Sequence, residues 1–294
     1  MKKAQMEYNW AFVIIAGAVI LGFFVAFTMR YIDIQNKKDN ALVASEIYNA
    51  LYGLQKSSYQ TETPISLFLK TNLKFSCDEV EVGNFFSQSL EKEFVFAPKE
   101  MTTDKINVFL KPWKYPFKIS NLFYLSSSNY KYYIVFDASS ASFVNSLEFP
   151  KNFNIIKTTS FPNIRDPNAR IISFTQKAAD VQLDPSENGY ATIAGKKYPV
   201  LGLPLVYAAM FSDNYGCVFE RLNDKFLTLI QIYKEKVDYM SAMNKNCDYS
   251  QLKRTLSGME SSIQNKNYAD LREKAGTLGG QNNNLLNSEC NPLY

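Results

Sequence analysis

The side chains of this chain that could do chemistry form no recognisable catalytic or metal-binding arrangement. Histidine is absent, which removes Ser-His-Asp and Cys-His nucleophile pairs, the usual general base near neutral pH, and the commonest metal ligand. Carboxylates and lysines are left, so an envelope enzyme based on carboxylates stays as an alternative. No catalytic, cofactor-binding or metal-binding set is predicted, and we expect a protein without catalysis.

Two acidic segments begin like metal sites but do not complete them. Asp137-Ala138-Ser139-Ser140 follows an apolar strand, as the DxSxS metal site of von Willebrand A domains does, but Ala141 stands where that motif has its last serine. Asp184 opens a segment like a calcium loop, and Gly195 stands where the loop needs a bidentate Glu. We expect ordinary turns at both places.

A short segment between two candidate strands interleaves basic and aromatic side chains. Its members are Lys111, Trp113, Lys114, Tyr115 and Lys118. Such a strip can stack on sugars or lie at a lipid headgroup surface, which would make a glycan or an envelope protein a partner. The prolines at 112 and 116 equally suit an edge strand that resists aggregation. Both interpretations stay open.

The chain opens with a long uncharged segment, Trp10 to Met29. At about 1.5 Å per residue it covers roughly 30 Å, the thickness of the hydrocarbon core of a bilayer. The run is longer than the apolar core of a cleaved signal, and no A-x-A site follows it. We therefore expect a permanent transmembrane helix over 10–29, with membrane lipid as its partner. The net charge of +4 is dispersed, so no nucleic-acid partner is predicted.

The flanking charges hardly distinguish the two orientations of this helix. Lys2 and Lys3 precede the apolar segment, and Arg30, Lys37 and Lys38 follow it, so both flanks are basic. Long domains translocate whatever their flanking charge, and an even number of cysteines favours an oxidising compartment. We expect a single-pass protein of the cell membrane, with a cytoplasmic N-terminus over 1–9 and the main domain outside.

The first residues, Lys2-Lys3-Ala4-Gln5-Met6-Glu7-Tyr8, resemble the N-termini of archaeal class III (type IV pilin-like) precursors. The resemblance implies cleavage between Ala4 and Gln5, with the apolar helix kept and packed into a filament. Glu7 stands third after that bond, where the family usually has its Glu fifth. The N-terminus and the final Cys-Asn-Pro-Leu-Tyr are also similar to uncharacterised single-pass archaeal proteins.

The helix that begins in the apolar segment is expected to continue as a stalk over 30–57. Ala11, Ala18, Gly22 and Ala26 line one stripe of small residues, a spacing that lets two membrane helices pack closely and self-associate. Beyond Arg30, Ala44, Ile47, Leu51 and Leu54 recur at helical spacing and mark an apolar face. This face predicts packing of the stalk against the outer domain.

Residues 61–205 predict a sheet-rich α/β domain. Short alternating runs, Leu73–Cys77 and Glu79–Val82, are typical of half-buried strands, and Ile106–Leu110 is a strand candidate rich in β-branched and aromatic residues. Tyr132–Asp137, a short helix over 138–147 and Phe153–Ile156 indicate a βαβ unit with parallel strands. The predicted class is thus α+β or α/β, with a mixed sheet.

Residues 214–294 predict a C-terminal antiparallel helical hairpin or bundle. The four cysteines form no CxxC pair, so they indicate two disulfides or, in a reducing compartment, four free thiols. A helix from about Cys217 to Ala242 would hold Cys217 and Cys247 some 40 Å apart, too far for a disulfide. The returning hairpin places Cys290 near Cys247, which leaves Cys77 for Cys217.

Overall fold

The computed structural model describes residues 2–57, 59–83, 86–164, 166–175, 179–288 and 290–294, with the backbone alone for residues 2–9. Its helices are α1 (Lys2–Gln55), α2 (Ala141–Ser146), α3 (Leu203–Phe211), α4 (Tyr215–Met243), α5 (Ser250–Gln264) and α6 (Tyr268–Asn287). Its strands are β1 (Thr61–Phe75), β2 (Glu79–Val82), β3 (Phe86–Ser89), β4 (Phe94–Phe96), β5 (Glu100–Lys114), β6 (Lys118–Ser127), β7 (Lys131–Val135), β8 (Asn154–Thr158), β9 (Ala169–Ser173), β10 (Val181–Leu183), β11 (Tyr190–Ile193) and β12 (Lys196–Pro199).

The strands form two six-stranded sheets rather than one. The first sheet has the order β3-β2-β1-β5-β6-β4, and its pairs are antiparallel except for β4 with β6. β1 and β5 are its long central strands, and their register shifts between Ser66 and Thr71. Alternating exposed and buried side chains along β1 follow from the twofold pleat of a strand.

The second sheet has the order β12-β11-β10-β9-β7-β8. Four neighbouring strands, β8, β7, β9 and β10, are parallel, and β10, β11 and β12 continue as an antiparallel meander. α2 lies in the chain between β7 and β8. The predicted α+β class, with a long N-terminal helix, mixed sheets and C-terminal helices, is confirmed.

The first sheet separates two hydrophobic cores. On one side, the last part of α1, from Val43 onward, packs with residues such as Leu73, Val80 and Ile106. On the other, aromatic residues of the sheet, including Phe109 and Tyr124, pack with the second sheet and with α3 to α6. Because both faces of the sheet are covered, β6 is buried along nearly its whole length.

α3 was not predicted from the sequence, and its burial explains why. Every residue from Leu205 to Phe211 is buried, so the segment has no polar face and no helical periodicity to read. Gly202 precedes it with a φ of +85°, a conformation that favours glycine. A proline at the second helical position suits a helix start.

The C-terminal helices bury one face each, as their apolar spacing predicts. α4 buries Val218, Leu222, Phe226 and Ile230. α5 packs against both α4 and α6. The glycines at 279 and 280 do not interrupt α6, because the tertiary contacts of its buried face outweigh their low helix propensity.

Candidate functional site

The apolar first part of α1 is fully exposed. Phe12, Val19 and Phe23 each present about two thirds or more of their surface, at 73%, 67% and 68%. The most apolar stretch of the helix, within Trp10–Gln55, has no buried residue. Exposed apolar surface of this extent marks contact with a membrane or another protein. The helix is long and apolar enough to cross a bilayer.

Aromatic side chains stand at both ends of this apolar segment. Trp10 is 72% exposed and Tyr31 is 61% exposed. The difference in residue number, 31 − 10 = 21, corresponds to roughly 31 Å of helix. Trp and Tyr are enriched at the two interfaces of a membrane, where their rings lie at headgroup level. The spacing of this pair therefore matches one hydrocarbon core.

The predicted helix-packing residues Ala11, Ala18, Gly22 and Ala26 lie on this exposed part of α1. A Cβ added at Gly22 would have no heavy atom within 4 Å. The stripe is therefore open to a partner, and self-association stays a prediction. Ala4 and Gln5, the predicted processing site, belong to the backbone of α1, and their side chains lie outside the described part of the chain.

The last part of α1 is docked on the first sheet. Burial begins at Asn40, and Val43, Ile47 and Leu51 are fully buried. Burial of such side chains stabilises a fold by roughly 1.5–3 kcal/mol each. Gly83 has a φ of +62°, and any side chain there would meet the Asn40 amide group. The close approach of Gly83 to α1 thus depends on the absence of a side chain at this position.

The C-terminal end of α1 is held by polar side chains of the domain. Asn121 Nδ2 donates to the carbonyl oxygens of Gln55 and Ser57 at 2.6 and 2.8 Å. Lys118 Nζ lies 3.4 Å from the same Ser57 oxygen. Gln55 Nε2 in turn donates to the Lys92 carbonyl oxygen at 2.9 Å. Asn121 thus satisfies the Gln55 carbonyl, one of the groups that a helix end leaves without a partner, and the other contacts hold the residues around it on the domain.

A disulfide joins the first sheet to α4. Cys77 and Cys217 have their Cα atoms 5.6 Å apart. One turn along α4, the Arg221 guanidinium donates to the carbonyl oxygens of Cys77, Leu90 and Glu91. The second disulfide pairs Cys247 with Cys290, at a Cα separation of 6.0 Å. This is the pairing that the predicted helical geometry requires.

Glu93 is a buried carboxylate near this junction. It is 1% exposed, and neither carboxylate oxygen has a hydrogen-bond partner within the described residues. Burial raises its pKa above the ordinary value, and the positive charges of Lys92, Arg221 and Lys225 offset part of that rise. No sequence motif indicates Arg221, because the carbonyl groups to which it donates lie more than 100 residues away in the chain.

The prediction that the basic and aromatic strip is exposed is wrong at Trp113. This side chain is fully buried, and its Nε1 donates to the Leu201 carbonyl oxygen at 2.8 Å. Lys111, Trp113 and Lys114 lie on β5, and Lys118 begins β6. Lys111 and Trp113 are two residues apart and share the inner strand face, whereas Lys114 is exposed. Lys111 Nζ lies 4.8 Å from the centre of the Tyr207 ring, and burial lowers its pKa. Tyr115 is partly buried, and burial raises its pKa to about 12.

The turns expected at the two acidic segments are present. Asp137 Oδ1 accepts hydrogen bonds from the backbone N–H and hydroxyl groups of Ser139 and Ser140, which hold its pKa at about 2. Asp184 Oδ2 accepts from the Tyr190 N–H at 2.9 Å. Among the described residues, no group of three or more His, Cys, Asp or Glu could hold a metal ion.

Two carboxylates share a cavity of about 600 Å³ at the amino ends of β9 and β10, and both are engaged. Asp213 pairs with the buried Arg170 and accepts from the Lys99 N–H at 2.8 Å. Asp180 accepts from the Ile171 N–H at 2.7 Å. Arg170 also donates to the Ser212 carbonyl oxygen. These contacts cross-link β9 to the segments before β5 and α4, which is a structural task.

No family model matches the chain, and neither a curated protein nor a solved structure is similar to it.

Proposed function

We propose that this protein is anchored in the cell membrane by a single helix and holds its main domain outside the cytoplasm. There it has a structural or interaction role and no catalysis. The exposed apolar segment of α1, closed at either end by Trp10 and Tyr31, carries the proposal. The two disulfides support an oxidising location for the domain, because such bonds are rare in a reducing cytoplasm.

Membrane extraction tests the anchor. The double variant Ile20→Arg/Phe23→Arg places two charges near the centre of the span, at a cost of about 2.5–3.5 kcal/mol each. A matched control, Gln35→Arg/Asn36→Arg, adds the same charges to an exposed polar part of α1. We expect the native chain and the control to stay in the pellet after alkaline carbonate extraction, and the Ile20/Phe23 variant to be released. A native chain that is soluble without detergent would refute the anchor.

Orientation is tested separately, in intact cells. Protease added outside should degrade the domain while a cytoplasmic marker stays intact. A thiol reagent applied before reduction should label none of Cys77, Cys217, Cys247 and Cys290. Protection of the domain from protease, together with four reactive thiols, would place the domain in the cytoplasm and contradict the orientation.

A second candidate function is a pilin-like filament subunit. It is favoured by the division of α1 into an apolar exposed part and a part that packs against an antiparallel sheet. The resemblance of Lys2–Tyr8 to class III signal sequences implies the same use of the helix. Mass spectrometry of the N-terminus distinguishes the two candidates. A mature chain beginning at Gln5 favours the filament subunit, and an intact Met1 or Lys2 favours the simple anchor.

A further inference from the structure

A surface cavity of about 330 Å³ lies between the α4–α5 connection and the C-terminal end of α6. One wall is the α4–α5 connection with the first turn of α5, and the other is the last two turns of α6. Four primary amides line it, those of Asn246, Gln251, Gln281 and Asn284. We call this space the amide cavity. Its volume lies within the range of small-molecule sites.

The four amides are not used to hold the fold together. Within the described residues, their side chains have no hydrogen-bond partner. The carbonyl oxygen of the Gln281 side chain is moreover buried. Because this oxygen is closed to solvent, a ligand would contact Gln281 through its Nε2 donors, and it would contact the exposed amides of Asn246, Gln251 and Asn284 directly. Each primary amide offers two donors and one acceptor, so the set can serve several hydroxyl groups at once.

The charges of the lining residues limit the classes of ligand that the cavity can bind. Among the described residues that line it, Asp248 is the one ionisable side chain, and none is a lysine or an arginine. Hydrogen bonds from Ser250 lower the pKa of Asp248, so this carboxylate is ionised at neutral pH. A phosphate or other anion would therefore be repelled. The apolar part of the lining is small and consists of Leu252, Leu285 and the disulfide.

We propose that the amide cavity binds a neutral sugar residue, with its hydroxyl groups on the amides and one carbon face on Leu252 and Leu285. A pyranose has both required properties, since it carries many donors and acceptors around a ring with apolar C–H faces. The Cys247–Cys290 disulfide joins the two walls and holds the amides in place before binding. This inference deepens the proposed interaction role, on which it rests, by naming a ligand class.

Saturation-transfer NMR on the full chain tests the proposal. The protein is placed in phosphatidylcholine nanodiscs, because glycoside detergents carry sugar headgroups that would occupy the cavity. Methyl α-D-glucopyranoside, methyl α-D-mannopyranoside and N-acetylglucosamine are each offered at about 20 mM, well above a millimolar dissociation constant. The variant Gln281→Leu removes one buried amide. The matched control Gln264→Leu makes the same change at an exposed position of α5 outside the cavity.

We expect at least one of the three sugars to give a signal and to bind about 5- to 10-fold more weakly to Gln281→Leu, as loss of one hydrogen bond predicts. Binding to Gln264→Leu should equal that of the native chain. Unfolding midpoints of both variants show that the fold is kept. No signal from any sugar, or equal binding by Gln281→Leu, overturns the proposal. Because the nanodisc assay does not depend on which side of a membrane the domain occupies, its failure is distinct from failure of the orientation test.

Discussion

The Cys77–Cys217 disulfide allows a prediction worked from chain topology. It closes a loop with a sequence separation of 140 residues. The chain-entropy relation assigns such a loop about 5 kcal/mol of stabilisation at 25 °C, and removal of native disulfides typically costs about 2–5 kcal/mol. We therefore expect Cys77→Ser/Cys217→Ser to lower the free energy of unfolding by about 5 kcal/mol, at the upper end of that range. Arg221 keeps its three carbonyl contacts near the site, so the fold itself should persist.

The other disulfide is the matched control. Cys247–Cys290 closes a loop with a separation of 43 residues, for which the same relation gives about 4 kcal/mol. The difference between the two double variants should be about 1 kcal/mol, with Cys77→Ser/Cys217→Ser the less stable. This difference depends on the logarithm of the ratio of loop lengths, and it is less sensitive to the choice of unfolded state than either value alone.

Urea unfolding of the full chain in detergent, followed by far-UV circular dichroism, measures both variants. Non-reducing peptide mapping establishes beforehand which cysteines are paired. Recovery of a peptide that links Cys217 with Cys247 would refute the reasoning, because α4 would then have to be broken. So would a Cys77→Ser/Cys217→Ser variant that unfolds at the same urea concentration as the native chain.

Three further predictions concern the packing and charges of the domain. Leu51→Ala should cost about 2–5 kcal/mol in urea unfolding, because Leu51 is fully buried between α1 and the first sheet, whereas Leu42→Ala, at a position 52% exposed, should cost far less; equal losses would refute docking of this helix face. Asp213→Ala should lower the free energy of unfolding by about 3–5 kcal/mol, because it leaves the Arg170 guanidinium buried without its counter-charge. Arg170→Met should cost less, and the reverse order of the two losses would contradict this explanation. Burial raises the pKa of Glu93 above its ordinary 4.5, so the folded state binds that proton more tightly than the unfolded state does. The free energy of unfolding should therefore fall as the pH rises from about 4.5 through the folded-state pKa. Glu93→Gln should remove this part of the pH dependence, and an unchanged profile of unfolding free energy against pH would refute it.

Elements with an exposed and a buried face could be predicted from the sequence. The apolar spacing of Ile47 and Leu51 in α1, and of Val218, Leu222 and Phe226 in α4, follows directly from one-sided burial. The cysteine pairing followed in turn, because the length of α4 decided which pairs are too far apart. Local pattern and tertiary structure agree at these places.

Elements buried on all sides could not be predicted in the same way. α3 is apolar all round, so no periodicity separates helix from strand. Trp113 was misplaced because the alternation of a strand also resembles a binding strip. The division into two sheets depends on pairings such as β4 with β6, which no local signal encodes. The amide cavity is assembled from residues near 246–251 and 281–288, which only the fold brings together.

Because α1 is uninterrupted, it sets the orientation of the domain relative to the exposed apolar part of the helix. No hinge separates the exposed apolar part of the helix from the part docked at Val43 and Leu51, so the domain turns and tilts as the helix does. Each residue added between them would swing the domain by about 100° around the helix axis and lift it by about 1.5 Å. If the apolar part lies in a bilayer, as we propose, a neighbour that binds the helix there also determines which side of the domain it contacts.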